Sequence, residues 1–522
     1  MYPKYRIYPP IGIARVGDSP DYYLGPEAPQ LNFLPPQEPG TDIYRDEKGR
    51  IKRMGARFRI YEFENGVAIR EITLDENDVE SIEWDVHLVN SKAAYGSLNP
   101  GIDLKDLTID SSTSDPKKPG QRRPVAIAGR NKGKQPLTGL LKASAPPTEV
   151  KLGDILTDPQ GRLIVLGGHG KAGTWLADNP PSSIHNAGWW DDTSDGKVRA
   201  RIRLKGSDEV FHTESAWVLV GPPDYAHAVE AIVTLYDLVL DRCRQFVFEG
   251  GIPVVSFTKH IYPVLRRTAF MRWTSSAGNL GHGANRPQLE PETMFRHMHT
   301  KGGPEAAQAR QVRKYVFARL KEPGNPTGGT GNMPGLSNLT LTPLQYEWFR
   351  LWSSVDDHDD DQFVDDWDNN WDPFDPPQPA FDQIAIEHQP EALTRAALDA
   401  CVGGSFSPGL ESGGTMADTM TYEDLFRISR LRNPGDLTQQ LGVPWQSDFI
   451  IYCGESWWPS ARPGQVLVKQ SDGGIAEKRW TRNVPNEEVV KKWSQLGFIV
   501  KDDDPAQIRY IETSRTLPDK VQ

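Results

Sequence analysis

The sequence predicts an α+β fold, with a β-rich domain over residues 1–225 packed on a helix-rich domain over residues 226–522 and long ordered loops between elements. Three observations predict it. Glycine and proline number 47 and 43, which favours short strands and ordered loops over a helical bundle. Before about residue 225 the apolar residues alternate, or run in short β-branched and aromatic stretches, as strands do. Beyond that point they recur at helical spacing. At 522 residues the chain also exceeds what a single core serves, so two or more packed parts are expected.

The elements follow in order. RFRIYEFENGVAIREITL (57–74) has two strand-like runs around Asn65-Gly66, a pair that tolerates the positive φ angles of a tight hairpin. SIEWDVHLVN (81–90), GRLIVLGG (161–168) and KVRARIRLKG (197–206) read as further strands, and SDPKKPGQRRP (114–124) as an exposed loop. Helices are expected over 227–246, 304–322, 342–354 and 390–402, with GNPTGGTGNMPG (324–335) a loop between two of them. No fixed-period repeat is present.

Composition narrows the function classes. The net charge is −11 and no basic stripe offsets it, which disfavours a nucleic-acid partner. No run approaches the roughly 20 apolar residues of a membrane helix. The first twenty residues lack a charged start followed by an apolar stretch, so no secretory signal is expected; the expected location is cytoplasmic, with non-classical export left open. The three cysteines, Cys243, Cys401 and Cys453, form no CxxC pair and no disulfide-scaffold density.

Chemistry concentrates near the C-terminal end. LDACVGGSFSPGLE (398–411) places Cys401 just before a double glycine, at the expected end of a helix. PWQSDFIIYCGESWWPSARP (444–463) places Trp457-Trp458-Pro459 in an aromatic, proline-rich loop. Both segments resemble those of the lysine ε-oxidase and glycine oxidase family. The resemblance runs in order along nearly the whole chain. It takes in YPPIGIARVGDSP (8–20), GARFRIYEF (55–63), HLVNSKAAY (87–95), LGGHGKAGTW (166–175), GWWDDTSDG (188–196), WVLVGPPDYA (217–226), KHIYPVLRR (259–267), VKKWSQLGFIV (490–500) and IETSR (511–515). Trp190 stands where the family pattern has tyrosine and Ser405 where it often has proline, and the acidic segment after Ser354 is compact.

The resemblance implies a cofactor made from the chain itself, cysteine tryptophylquinone, in which a cysteine sulfur is joined to an oxygenated tryptophan. Cys401 is the expected sulfur, with Cys453 its rival, and Trp458 is preferred to Trp457 as the modified indole. The implied reaction oxidises a primary amine or amino acid with molecular oxygen to aldehyde or keto acid, ammonia and hydrogen peroxide. A flavoprotein maturation partner and homo-oligomers are implied as well. The reaction needs a carboxylate base in an apolar, aromatic setting, and Asp399 and Asp448 are the candidates. Capping or assistance to cross-linking is the competing role for Asp399. Trp190 and His282 are candidate substrate contacts, and His169 is a further one. Arg462 has the fork geometry to bind a substrate carboxylate, against the plainer reading of a surface ion pair.

Two other readings compete. A metal-dependent enzyme would use His297 and His299, with His358 among aspartates, but there is no HExxH and no defined third ligand. A non-catalytic scaffold would keep the packing motifs and leave the quinone unformed, since a modification is not written in the sequence. No GxSxG elbow and no GxxxxGK[ST] loop is present.

Overall fold

The computed structural model describes residues 4–29, 43–177, 179–248, 254–282, 298–324, 331–336, 339–354, 363–371, 377–403, 414–451, 462–481, 484, 488–502, 509–513 and 515. Ten strands of a 14-stranded sheet frame the first half. They are β1 (Ile11–Arg15), β2 (Arg53–Glu64), β3 (Val67–Ile72), β4 (Val79–Asn90), β5 (Val125–Ala128), β6 (Gln135–Leu141), β7 (Thr148–Thr157), β8 (Leu163–Gly167), β9 (Ser194–Leu204) and β10 (Ala216–Gly221). The sheet runs in the order β5-β4-β9-β10-β1-β2-β8-β7-β6, with β3 paired to β2 as a hairpin. Along that path only β1 and β10 run parallel, with Trp217 opposite Ile11 and Gly221 opposite Arg15. The hairpin turns at Asn65 and Gly66 with φ of 51° and 82°, as that dipeptide predicts.

The sheet curls until its ends nearly meet. A Cβ on Gly139 of β6 would lie 2.6 Å from the backbone nitrogen of Asp110, whose strand pairs with β4. Gly196 of β9 is equally forced, because a Cβ there would lie 1.7 Å from the carbonyl oxygen of His87. The β8 segment LIVLG and the β10 segment AWVLVG are buried along their whole length, which explains their unbroken apolar sequence.

The helical half contains α1 (Leu235–Cys243), α2 (Tyr262–Phe270), α3 (Ala306–Phe317), α4 (Pro343–Ser353), α5 (Gln389–Asp399) and α6 (Gln446–Ile451). This combination is the expected α+β fold. One helix is shorter than its periodicity predicts. The run from 227 becomes helical only at Leu235, because Thr234 caps the helix: its hydroxyl accepts from the Asp237 N–H and the Asp237 carboxylate accepts from the Thr234 N–H. Residues just before the cap pair with the segment after α5, through Gly403 N–H to the Val233 carbonyl at 2.9 Å and Leu235 N–H to the Cys401 carbonyl at 3.0 Å. Long-range pairing therefore claims residues whose local pattern reads as helix.

One buried cluster joins the inside of the sheet (Phe58, Trp84, Leu88) to helical-half aromatics (Trp352, Trp445, Trp480). A second lies on the other face of β1 and β10. There Ile11, Ile13, Trp217 and Leu219 meet Leu235, Leu238, Leu398 and Cys401. No helix among the described residues is long and apolar enough to cross a membrane.

Candidate active site

Cys401 follows the last turn of α5, and its N–H donates to the Leu398 carbonyl at 3.2 Å. It is a buried cysteine in no disulfide, 2% exposed. Arg15 comes to it from the opposite layer. Ile11, Ile13 and Arg15 alternate along β1, so the arginine shares the face that packs on α1 and α5. Its Nη2 lies 3.4 Å from Cys401 Sγ and donates to the Ala400 carbonyl at 3.5 Å, while Nη1 donates to the Pro222 carbonyl at 3.0 Å. Asp224 lies 3.8 Å from the same guanidinium. A guanidinium beside a sulfur is the setting in which cysteine acts as a nucleophile. Cys243 has the opposite surroundings: it is 0% exposed, and burial pushes its thiol up to about 12.

Asp399 ends α5. Its Oδ1 accepts from Thr234 Oγ1 at 2.8 Å and from Arg267 Nη2 at 3.1 Å, and its Oδ2 accepts from Arg395 Nε at 3.0 Å. That is a charged, hydrogen-bonded setting, unlike the apolar one expected of a base, because the fold brings α2 and the cap of α1 against the end of α5. Asp399 and Ala400 line a cavity of about 410 Å³, together with Lys259, Tyr262, Trp367 and Arg395. His227 also lines it, and burial pushes this imidazole down to about 4, so it is neutral at neutral pH.

Asp448 lies on α6, is 3% exposed and pairs with Arg462 Nη2 at 3.1 Å. Burial raises its carboxyl above the usual range, against the lowering effect of Arg462. Its Oδ1 has no hydrogen-bond partner among the described residues. The pair closes the base of the chain segment that carries Cys453, Trp457 and Trp458, three residues outside those described. Arg462, 4% exposed, therefore belongs to a buried ion pair and not to a surface one.

Two sequence families cover this architecture. Residues 8–220 match the family described as L-Lysine epsilon oxidase N-terminal, and residues 327–470 match the L-lysine epsilon oxidase C-terminal domain. The chain belongs to the L-lysine ε-oxidase family. The L-lysine 6-oxidase of Marinomonas mediterranea is 26% identical over 539 residues, spanning 85% of this chain and 70% of that protein. The solved ε-lysine oxidase from Marinomonas mediterranea aligns with a TM-score of 0.74 at 20% identity, over 98% of this chain and 94% of that one. A structure of the Schiff base intermediate of the L-Lys ε-oxidase from Marinomonas mediterranea with L-Lys aligns with a TM-score of 0.71 at 20% identity, over 98% and 94% of the two chains. At that identity the structural likeness speaks for the fold.

The remaining sequence candidates of this lysine ε-oxidase family member lie elsewhere. Trp190 sits in a strand, Trp189–Asp191, paired with Ala172–Thr174, and its indole covers Gly173, where a Cβ would come within 3.0 Å of the ring. The motifs of Trp190 and of His169 are thus two strands of one ribbon. Burial pushes His169 down to about 4. His282 ends a short helix, Ser276–His282, where its carbonyl accepts from Arg272. Trp190, His169, His282, Asp448 and Arg462 are not among the described residues that line the cavity beside Asp399. His299 is buried and hydrogen-bonds Asp365 at 2.9 Å; His297 and His358 lie outside the described residues. Among the described residues no group of three or more metal-ligating side chains converges.

The sequence reading missed Arg15, and a signal for it existed: a charge at the third alternating position of an otherwise apolar strand. It also missed the acids of GWWDDTSDG. Asp191, Asp192 and Asp195 are all buried, with Asp191 paired to Lys92 at 2.6 Å. Only the sheet pairing makes those acids interior.

Proposed function

We propose that this protein is a quinoprotein oxidase that converts a primary amine or amino acid, with oxygen and water, into an aldehyde or keto acid, ammonia and hydrogen peroxide. The cofactor of this reading is cysteine tryptophylquinone, built from Cys401 and Trp458, or Trp457 in its place. When formed, the quinone supplies an electrophilic carbonyl and a sink for two electrons. The observation that carries the reading is Cys401 itself: a buried cysteine in no disulfide, with a guanidinium on its sulfur, directly after two residues that line a large cavity, in a chain of this family.

The chain's own residues divide the work. Arg15 holds the sulfur and orients the end of α5. Asp399, fixed by Thr234, Arg267 and Arg395, shapes the cavity floor and carries charge into it. Asp399 and Asp448 are the candidates to accept the substrate α-proton: Asp399 lines the cavity, and Asp448, outside its described wall, has its proton affinity raised by burial. Arg462 keeps Asp448 at the base of the tryptophan segment.

The test is peptide mapping of protein co-produced with a flavoprotein maturation partner. The expected result is a cross-linked peptide joining the Cys401 and Trp457-Trp458 segments, heavier by two oxygens and lighter by four hydrogens, with peroxide released from at least one amine. Unmodified peptides from such protein would overturn the reading and leave the scaffold interpretation.

A further inference from the structure

The cavity beside Asp399 has one cation that makes no hydrogen bond or ion pair among the described residues. Arg267 pairs with Asp237 at 2.7 Å and with Asp399 at 3.1 Å, and Arg395 pairs with Asp399 at 3.0 Å. Glu230, also on the wall, pairs with Arg266 and Arg267. The described wall thus holds three cations, Lys259, Arg267 and Arg395, against two anions, Glu230 and Asp399. His227 adds no charge at neutral pH. Lys259 is exposed, and among the described residues its ammonium makes no hydrogen bond or ion pair.

Its backbone, by contrast, is held firmly. Lys259 sits in a π-helical turn, Phe257–Ile261, that runs directly into α2. The Lys259 N–H donates to Ser256 Oγ at 2.9 Å, and the Ser256 N–H donates to His260 Nδ1 at 2.9 Å. Asp366 accepts from Ser256 Oγ at 2.6 Å and from the Thr258 N–H at 2.9 Å. The Lys259 carbonyl accepts from Arg395 Nη2 at 3.4 Å, which ties the turn to the guanidinium that also holds Asp399. His260 stacks on Trp348 with ring centroids 4.4 Å apart. The extra residue of a π turn widens the helix and turns side chains out of register with the α-helix that follows. Here Thr258, Lys259, Tyr262 and Pro263 all face the cavity.

We propose that Lys259 is the carboxylate-binding residue of this cavity, the side chain that favours a carboxylate-bearing amine there over an alkyl amine or polyamine. The inference rests on the proposed oxidase function and deepens it. A fixed turn presenting one unpaired ammonium gives a substrate carboxylate a charge-assisted contact without displacing an existing partner. The same surplus of positive charge opposes a substrate with cations at both ends, such as a diamine. Aromatic side chains, Tyr262 and Trp367, supply the apolar wall for the carbon chain between the two groups.

Two measurements test it. In matured protein, Lys259→Met is expected to raise the ratio of KM for L-lysine to KM for 1,5-diaminopentane about tenfold, the effect of losing one charge-assisted contact, with Lys259→Arg restoring most of it. An unchanged ratio overturns the proposal. The second needs no quinone. Acetylation of Lys259, followed by peptide mass, is expected to slow at least severalfold with hexanoate present and not with hexan-1-ol, while exposed Lys501 reacts at one rate throughout. Equal acetylation in hexanoate and hexan-1-ol overturns it. If peptide mapping finds no cross-link, the oxidase reading fails by itself, and the hexanoate comparison still decides whether Lys259 binds carboxylate.

Discussion

Replacing Arg15 by methionine removes a guanidinium that reaches four described groups at once. Its loss deprives the Pro222 and Ala400 carbonyls of their bonds at 3.0 and 3.5 Å, removes the cation beside Asp224 at 3.8 Å, and takes the donor from Cys401 Sγ at 3.4 Å. The first three losses bear on stability. Removing one partner of a buried pair costs roughly 3–5 kcal/mol. The fourth bears on chemistry: a hydrogen bond to a charged group is worth about 1.5–3 kcal/mol, so thiolate character at Cys401 should fall on the order of 10- to 100-fold. The assay uses protein made without the maturation partner, so that both described cysteines stay unmodified, and follows iodoacetamide alkylation of Cys401 and Cys243 by peptide mass. Cys243 is 0% exposed and reacts only through opening of the fold, so the ratio of the two rates separates sulfur chemistry from destabilisation. Arg15→Met should lower the Cys401-to-Cys243 ratio at least tenfold, and Arg15→Lys should recover part of it. A ratio that stays constant while both rates rise would refute the reasoning, leaving Arg15 as a packing residue only.

Three further outcomes are expected. Arg462→Met should lower stability by roughly 3–5 kcal/mol, since it strands a buried carboxylate at Asp448, and adding Asp448→Asn should recover much of the loss in thermal melts; additive losses would mean the pair is not coupled. Burial pushes Asp192 up to about 7, above an unfolded value of about 3.9, so the folded chain holds a proton that the unfolded chain releases. Its contribution to stability therefore declines as pH rises from about 4 to about 7, and Asp192→Asn should gain on the wild type between pH 5 and pH 8; a constant difference in melting temperature would contradict this. Thr234→Ala removes both the cap of α1 and a bond to Asp399, and should cost about 1–2 kcal/mol in a denaturant melt while shifting substrate KM; a loss of stability without any change in KM would detach Asp399 from the cavity's function.

Local rules made some elements legible. Asn65-Gly66 announces its hairpin because few other residue pairs accept two successive positive φ angles. The helix at 343–353 follows from its period, from Thr342 as cap with Gln345 three residues on, and from Pro343 in the first turn. The start of α1 was misplaced because residues 227–234 carry a helical pattern that pairing with Val402 and Gly403 overrides. The acids of GWWDDTSDG look like surface charge in sequence and are interior in the structure.

The sequence by itself determined the family, the division into strands and then helices, and the cysteine and tryptophans on which the proposed chemistry rests, because these are properties of neighbouring residues and of motifs in order. Tertiary structure alone decided what surrounds them. Arg15 and Cys401 meet across nearly the whole chain because the parallel pairing of β1 with β10 lays one alternating face of β1 against α5. Asp399, already beside Arg395 one turn back on its own helix, is met by Arg267 from α2, and Asp448 is buried with Arg462. Which charge is paired and which is left facing a cavity depends on distances that close only when the layers pack, and no window of sequence contains them.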